Sequence, residues 1–145
     1  MKKLFIAALI IAAATTTAFA NIADVNNKSA LHFKNKFTKA VNVNWTSDIN
    51  YDKVTFNTDG QQVSVFYTPQ GQLIGTSTNI GFDKLPKKAI TAVTSEYTYP
   101  EYSLKECIRF ENADGDVQYF VSMDKGGEYV AFEVDETGAI SVLKK

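Results

Sequence analysis

The 145-residue chain is poor in several residue types, and each shortage excludes a class of protein. Its single cysteine, Cys107, excludes an internal disulfide framework and a zinc site made of several thiolates. Fifteen basic residues against sixteen acidic ones leave no excess of positive charge, which disfavours binding to nucleic acid. Aromatic residues are plentiful instead, with ten Phe and seven Tyr. This composition is typical of a globular protein with one compact domain or two small ones.

The first twenty residues have the pattern of a signal peptide. Lys2 and Lys3 form a short basic start, an apolar run follows over residues 4–14, and Ala18 and Ala20 place small side chains before a cleavage point. The apolar run is shorter than the roughly 20 residues that cross a bilayer, which argues against a membrane anchor. We therefore expect a signal peptide over residues 1–20, cleavage after Ala20, no membrane insertion afterwards, and a periplasmic or secreted protein.

The exported chain shows the pattern of a helix followed by four strands. Residues 21–27 are polar and predict a flexible start. From Lys28, helical spacing predicts a buried stripe of Ala30, Phe33, Phe37 and Ala40 or Val41. Alternation then predicts four strands up to residue 80. Their inward side chains are expected to be Val41, Val43, Trp45, Val54, Phe56, Val63, Val65 and Tyr67.

The second half repeats this order. A helix with the stripe Ala89, Ile90, Val93 and Tyr97 is predicted between two prolines, followed by strands at roughly 102–110, 116–123, 128–134 and 139–143. Gly60 and Gly127 are 67 residues apart, and so are Gly71 and Gly138. We therefore predict an α+β fold of one domain, residues 28–145, made of two repeats, 28–80 and 84–143. The duplicated α-β4 units would form a curved antiparallel sheet with two helices on one face.

Several of these features together resemble one protein family. They are the exported start, the stretch Tyr51–Gly60, the turn sequence TPQGQLIG, Leu85-Pro86 at the start of a helix, and the tyrosine-rich exit Tyr97–Tyr102. The chain resembles the PepSY-like, β-lactamase-inhibitor-protein-like family of small exported bacterial proteins over about residues 28–143. The resemblance implies the duplicated fold and a periplasmic or secreted location, and it implies no particular activity.

Few residues could carry chemistry. His32 lies next to the buried helix stripe, which favours a packed or exposed helix residue over a catalytic base. A Cys107 thiolate beside Lys105 and Arg109 could have a lowered pKa, and the alternatives are an inert thiol or one that pairs two chains. The acidic turn at 112–116 lacks the terminal Glu that a calcium loop requires. The sequence therefore predicts no enzyme, no metal and no cofactor.

Strand alternation leaves a second sheet face that carries no helix, and its aromatic and basic residues predict a partner-binding surface. Alternation also places Cys107 on this face, with Ile108 on the other. In the alternative, loops or the hairpin at 102–123 fold over the face and bury two of its rings. The candidate site consists of Tyr51, Phe66, Lys105, Arg109, Phe120 and Tyr129, and the two rings in question are Phe66 and Phe120.

The preferred hypothesis is an exported, non-catalytic binding module that holds a protein or peptide of the cell envelope on this face. One alternative is a self-associating structural envelope protein that buries the same face in a homodimer. Another alternative is an inhibitor of a periplasmic hydrolase, which rests on the resemblance alone.

Overall fold

The computed structural model describes residues 25–144, so the predicted signal peptide lies outside the described residues. In this part of the chain, two α-helices accompany eight strands, which form one antiparallel sheet whose order follows the chain. The helices are α1 (Asn27–Lys36) and α2 (Lys87–Glu96), and a short 3-10 helix covers Phe82–Lys84. The strands are β1 (Val41–Ser47), β2 (Asp52–Thr58), β3 (Gln61–Tyr67), β4 (Leu73–Asn79), β5 (Ser103–Asn112), β6 (Val117–Lys125), β7 (Glu128–Val134) and β8 (Ile140–Lys144).

The described residues divide into two compact units. The first unit comprises residues 25–78 and 111–116, and the second comprises residues 79–110 and 117–144. The α+β class and the antiparallel sheet are confirmed, with strand bounds close to those predicted. The duplication, the curvature and the shared face of the two helices stay predictions. Neither helix in residues 25–144 combines the length and the hydropathy needed to cross a bilayer.

Helix α1 begins at a capped N-terminus in the first unit. The side chain of Asn26 accepts a hydrogen bond from the backbone N–H of Lys28 at 2.9 Å. Ser29 and Phe33 are its buried residues, whereas Ala30, which was expected in the stripe, is exposed. Ser29 is buried because its hydroxyl has a partner on the sheet. Asn26 is therefore in contact with the folded unit, and the flexible segment over residues 21–27 stays a prediction.

The core of the first unit lies between α1 and one face of β1–β3. The ring of Phe33 meets the rings of Trp45 and Phe56 edge-on, with centroid distances of 5.5 Å and 5.1 Å. Beneath them, Val65 and Tyr67 are fully buried. The predicted inward parity of β2 and β3 is therefore confirmed.

Strand β1 departs from the predicted alternation. Trp45 is buried, but Val41 is 57% exposed and Val43 is 44% exposed. The cause is a β-bulge: Asn42 has a φ of 55°, and the register with β2 shifts between Val41 and Asn44. The prediction that Val41 and Val43 face the core is therefore wrong.

Helix α2 follows Pro86 and covers one face of the strands in the second unit. Ala89 and Val93 are fully buried there, against a core that includes Val121 and Val134. At the end of the helix, Tyr97 stacks on Phe132 with a centroid distance of 4.6 Å. The predicted stripe of this helix is confirmed.

A glycine turn presses against the helix in each unit. Gly71 has a φ of 81°, and a Cβ there would lie 2.6 Å from the Cβ of Lys28 in α1. Gly138 has a φ of 91°, and a Cβ there would lie 2.9 Å from the carbonyl oxygen of Lys88 in α2. Both positions therefore need glycine for the backbone angle and for the close approach.

Candidate functional site

Two of the predicted site residues, Tyr51 and Phe66, lie together in the first unit. Their ring centroids are 5.9 Å apart in an edge-to-face arrangement, and the Nζ of Lys53 lies 5.9 Å from the Phe66 centroid. Phe66 is fully buried, and the cross-strand partner of Phe66 on β4 is Gly75. The expectation that the Phe66 ring is exposed is therefore wrong. Partial burial of Tyr51 and the nearby Asp48 carboxylate raise the pKa of the Tyr51 hydroxyl.

Phe120 and Tyr129 lie in the second unit, on the sheet face away from α2. Both border a small recess, and Phe120 is only 5% exposed, so the expectation of a bare Phe120 ring is also wrong. The free volume of the recess, about 20 Å³, suits one or two water molecules and not a metabolite. The recess is lined by Glu106, Ile108, Phe120, Val121, Ser122, Tyr129, Ala131 and Leu143.

Lys105 and Arg109 do not join this recess. Cys107 packs in the core beneath α2, whereas Glu106 and Ile108 line the recess on the other face. Because side chains alternate along a strand, Lys105 and Arg109 share the side of Cys107. The predicted assignment of β5 to the two faces is therefore inverted. Alternation shows which residues of a strand share a face, but it does not show which face packs against the helix. That choice depends on which face is apolar, and both faces of β5 carry apolar residues.

Polar side chains border the apolar centre of the recess face. Gln118 on β6 donates a hydrogen bond of 2.8 Å to the carboxylate of Glu133 on β7. Glu133 is also the cross-strand neighbour of Phe120, and Ser122 is that of Ala131. The apolar centre is thus buried behind a polar border, and Tyr129 is the partly exposed ring of this face.

The two residues that the sequence offered for nucleophilic or acid–base chemistry, His32 and Cys107, lie outside the recess. The Nδ1 of His32 lies 3.0 Å from the hydroxyl of Tyr67. Burial raises the pKa of Tyr67 to about 12, so its hydroxyl stays protonated at neutral pH and shares a hydrogen bond with the imidazole. Burial and the carboxylate of Glu106 raise the pKa of the Cys107 thiol to about 11. A thiol with that pKa is a poor nucleophile, so of the alternatives left open by the sequence the inert thiol agrees with the structure and the lowered pKa does not.

No group of three or more potential metal ligands occurs among residues 25–144. The acidic turn at 112–116 is held by hydrogen bonds within the turn. The Asn112 side chain accepts from the backbone N–H groups of Asp114 and Asp116, each at 2.9 Å. This is ordinary turn chemistry.

Sequence reasoning missed the most polar buried group, Asp52. It is 2% exposed, and its carboxylate accepts hydrogen bonds from the Asn26 backbone and the hydroxyls of Ser29 and Ser47. Its position at the start of a strand gave no signal, because the partners come from two other elements, α1 with its N-cap and β1. Ile108 was missed as a recess residue because alternation had placed it on the other face of β5.

Comparisons with known proteins identify the fold. No family model matches the chain, and no curated protein matches it. A BLIP-like protein from Bacteroides fragilis is 17% identical with a TM-score of 0.65, covering 83% of this chain and 87% of that one. The chain has the BLIP-like fold.

Two further solved structures share the BLIP-like fold. A DUF2874 family protein from Bacteroides ovatus is 18% identical with a TM-score of 0.69, over 81% of this chain and 86% of its own. A Bacteroides eggerthii protein, assigned provisionally to the periplasm, is 13% identical with a TM-score of 0.72, over 81% of this chain and 88% of its own. At these identities the likeness concerns the fold alone.

Proposed function

We propose that this chain is an exported, non-catalytic binding protein that holds a protein or peptide of the cell envelope. The partner docks on the recess face of the second unit, beside Phe120 and Tyr129. The signal-peptide pattern of residues 1–20 and the periplasmic assignment of one neighbour of the same fold support a periplasmic or secreted location. The PepSY-like membership, the internal duplication and the cleavage after Ala20 are parts of the same proposal.

The observation that carries the proposal is an apolar sheet face on the side that α2 does not cover. Ile108, Phe120 and Ala131 form its centre, and α2 is the only α-helix of this unit among the described residues. These three side chains are themselves no more than 7% exposed, so the part of this face that a partner can reach is the rim of the recess, where Tyr129 is half-buried. The partner therefore contacts Tyr129 and places a small apolar group at the mouth of the recess.

Site-specific photocrosslinking in the producing cell tests this placement. A photoreactive phenylalanine analogue replaces Tyr129, and the matched control places it at Tyr99, which is 86% exposed in the same unit. We expect an envelope-protein adduct from position 129 and none from position 99. Equal adducts from both positions, or none from position 129, would contradict the proposed face.

A second candidate, an inhibitor of a periplasmic hydrolase, is favoured by the BLIP-like neighbour. The purified chain is added to β-lactamases and to exported peptidases, and their rates are measured against the chain concentration. An inhibitor that uses the recess face loses at least tenfold in potency on Tyr129→Ser and keeps it on Tyr99→Ser. If neither enzyme class slows down, the inhibitor candidate is abandoned and the crosslinking result stands on its own.

A further inference from the structure

Strand β1 is an outer strand of the sheet with little protection against pairing. Within residues 25–144 it pairs with β2 only. Its seven residues contain no charged residue and no proline. Charges, prolines and β-bulges are the usual means by which proteins keep an outer strand from pairing with another chain, and of these β1 has only the bulge at Asn42.

Exposed apolar side chains are a second feature of β1 that favours pairing with another chain. Val43 is 44% exposed and Val41 is 57% exposed, whereas valine is more often buried. The bulge that exposes them is confined to the start of the strand, since Asn44 to Ser47 keep a regular register with β2. The regular part of the edge is therefore straight enough to accept a further strand.

Opposite charges stand at the two ends of this neutral strand. Lys39 lies two residues before β1 and Asp48 directly follows it, and both are exposed. Neither makes an ion pair with a residue in the described range. In an antiparallel pair of two β1 strands related by a two-fold axis near Val43 and Asn44, residues 44–47 of each copy lie opposite residues 40–43 of the other, which include the bulge at Asn42. In this register Lys39 of each copy approaches Asp48 of the other.

We propose that two copies of this chain associate through antiparallel pairing of their β1 strands. The pairing satisfies backbone groups on the outer edge of β1, places Val43 near Val43 of the partner, and brings the two Lys39–Asp48 pairs together. The contact is smaller than a standard interface of about 1,600 Å², so the dimer is weak and forms in the micromolar range. It involves the first unit only and does not depend on the proposed function.

Sedimentation velocity of the exported chain, beginning at Asn21, measures the association. We expect a monomer–dimer equilibrium with a dissociation constant of about 10–100 μM. Val43→Lys brings two like charges together at the axis, so the dimer weakens at least tenfold. Val142→Lys is the matched control, because Val142 is 45% exposed on β8, and it leaves the association unchanged.

A charge swap distinguishes β1 pairing from other modes of association. Lys39→Glu alone weakens the dimer, Asp48→Lys alone does the same, and the double variant restores it because the pairs are re-formed with opposite signs. Circular dichroism shows whether each variant is folded, and the swap remains informative if Val43→Lys is not. A monomer up to about 1 mM, or a double variant as weak as the single ones, overturns the proposal.

Discussion

The hydroxyl of Ser29 donates a hydrogen bond of 2.9 Å to the carboxylate of Asp52, and both residues are buried. The same carboxylate oxygen accepts from the backbone N–H of Asn26 at 3.0 Å, and the other oxygen accepts from the hydroxyl of Ser47 at 2.7 Å. One acidic side chain thus joins the start of α1, the end of β1 and the start of β2. A charged acceptor of this kind satisfies donors that burial would otherwise leave without water.

We expect Asp52→Asn to lower the free energy of unfolding by about 2 kcal/mol, because an amide donates where the carboxylate accepts. Urea denaturation measures the change. Asp59→Asn is the control, since Asp59 occupies an exposed turn at a φ of 49° that asparagine also tolerates, and it should stay within about 0.5 kcal/mol of the parent. Equal effects of the two substitutions would show that Asp52 does not hold the elements together.

Two glycines with nearly equal backbone angles allow the cost of a left-handed φ to be measured apart from the cost of a steric clash. Gly60 and Gly71 have φ values of 79° and 81°, but a Cβ at Gly60 meets nothing within 4 Å, whereas one at Gly71 meets Lys28 and Asn26. Gly60→Ala should cost about 1 kcal/mol for the left-handed angle alone. Gly71→Ala should cost clearly more, because the turn must move away from α1. Thermal unfolding of the two variants, compared with the parent, measures both costs, and similar losses would refute the close approach.

The strands could be predicted from the sequence because alternation, turn residues and strand length agree along most of the chain. The inward residues of β2 and β3 follow directly from Val54, Phe56, Val63 and Val65, whose neighbours are polar except for Phe66. Alternation failed at β1, where a single bulge at Asn42 turns Val41 and Val43 outward. A bulge depends on the pairing with β2, which the sequence of β1 alone does not contain.

The candidate site could be predicted less well because both faces of β5 are apolar. Cys107 and Ile108 are adjacent and both buried, so the period of two gives no sign of which one lies beneath α2. Because Cys107 was assigned to the face without a helix, Lys105 and Arg109 were assigned to that face as well. Phe120 and Tyr129 were placed on the correct face because their neighbours Val121 and Val130 belong to the core beneath α2.

Burial of Cys107 makes the stability of the protein sensitive to alkaline pH. The folded-state pKa of about 11 lies above the ordinary thiol value of 9.0, so folding favours the protonated thiol. This contribution is fully present below pH 9 and is lost as the pH rises from 9 to 11. Cys107→Ala removes it, so the stability difference between parent and variant should shrink over that range. Urea denaturation at several pH values checks this, and a constant difference would contradict the burial of the thiol.

Thiol labelling gives an independent measurement of the same residue. Cys107 is 3% exposed and is the only cysteine, so a single labelling rate reports on it alone. Labelling at neutral pH should be slow in the folded protein and should become fast when urea unfolds the chain. Fast labelling without urea would show that the strand places Cys107 at the surface.

The hydrogen bond between His32 and Tyr67 joins α1 to β3. It leads to a second prediction about the stability of the protein at alkaline pH. Because the pKa of Tyr67 is raised from 10.0 to about 12, its protonated hydroxyl stabilises the fold below pH 10, and that stabilisation is lost between pH 10 and 12. Tyr67→Phe keeps the ring against Trp45 but removes the hydroxyl, so it should cost about 1 kcal/mol at neutral pH. The variant should also lose less stability than the parent between pH 10 and 12.

Tyr99→Phe is the control, since Tyr99 is 86% exposed, and it should change neither the stability at neutral pH nor its loss at alkaline pH. If Tyr67→Phe behaves as this control does, the His32–Tyr67 contact does not contribute to holding α1 on the sheet.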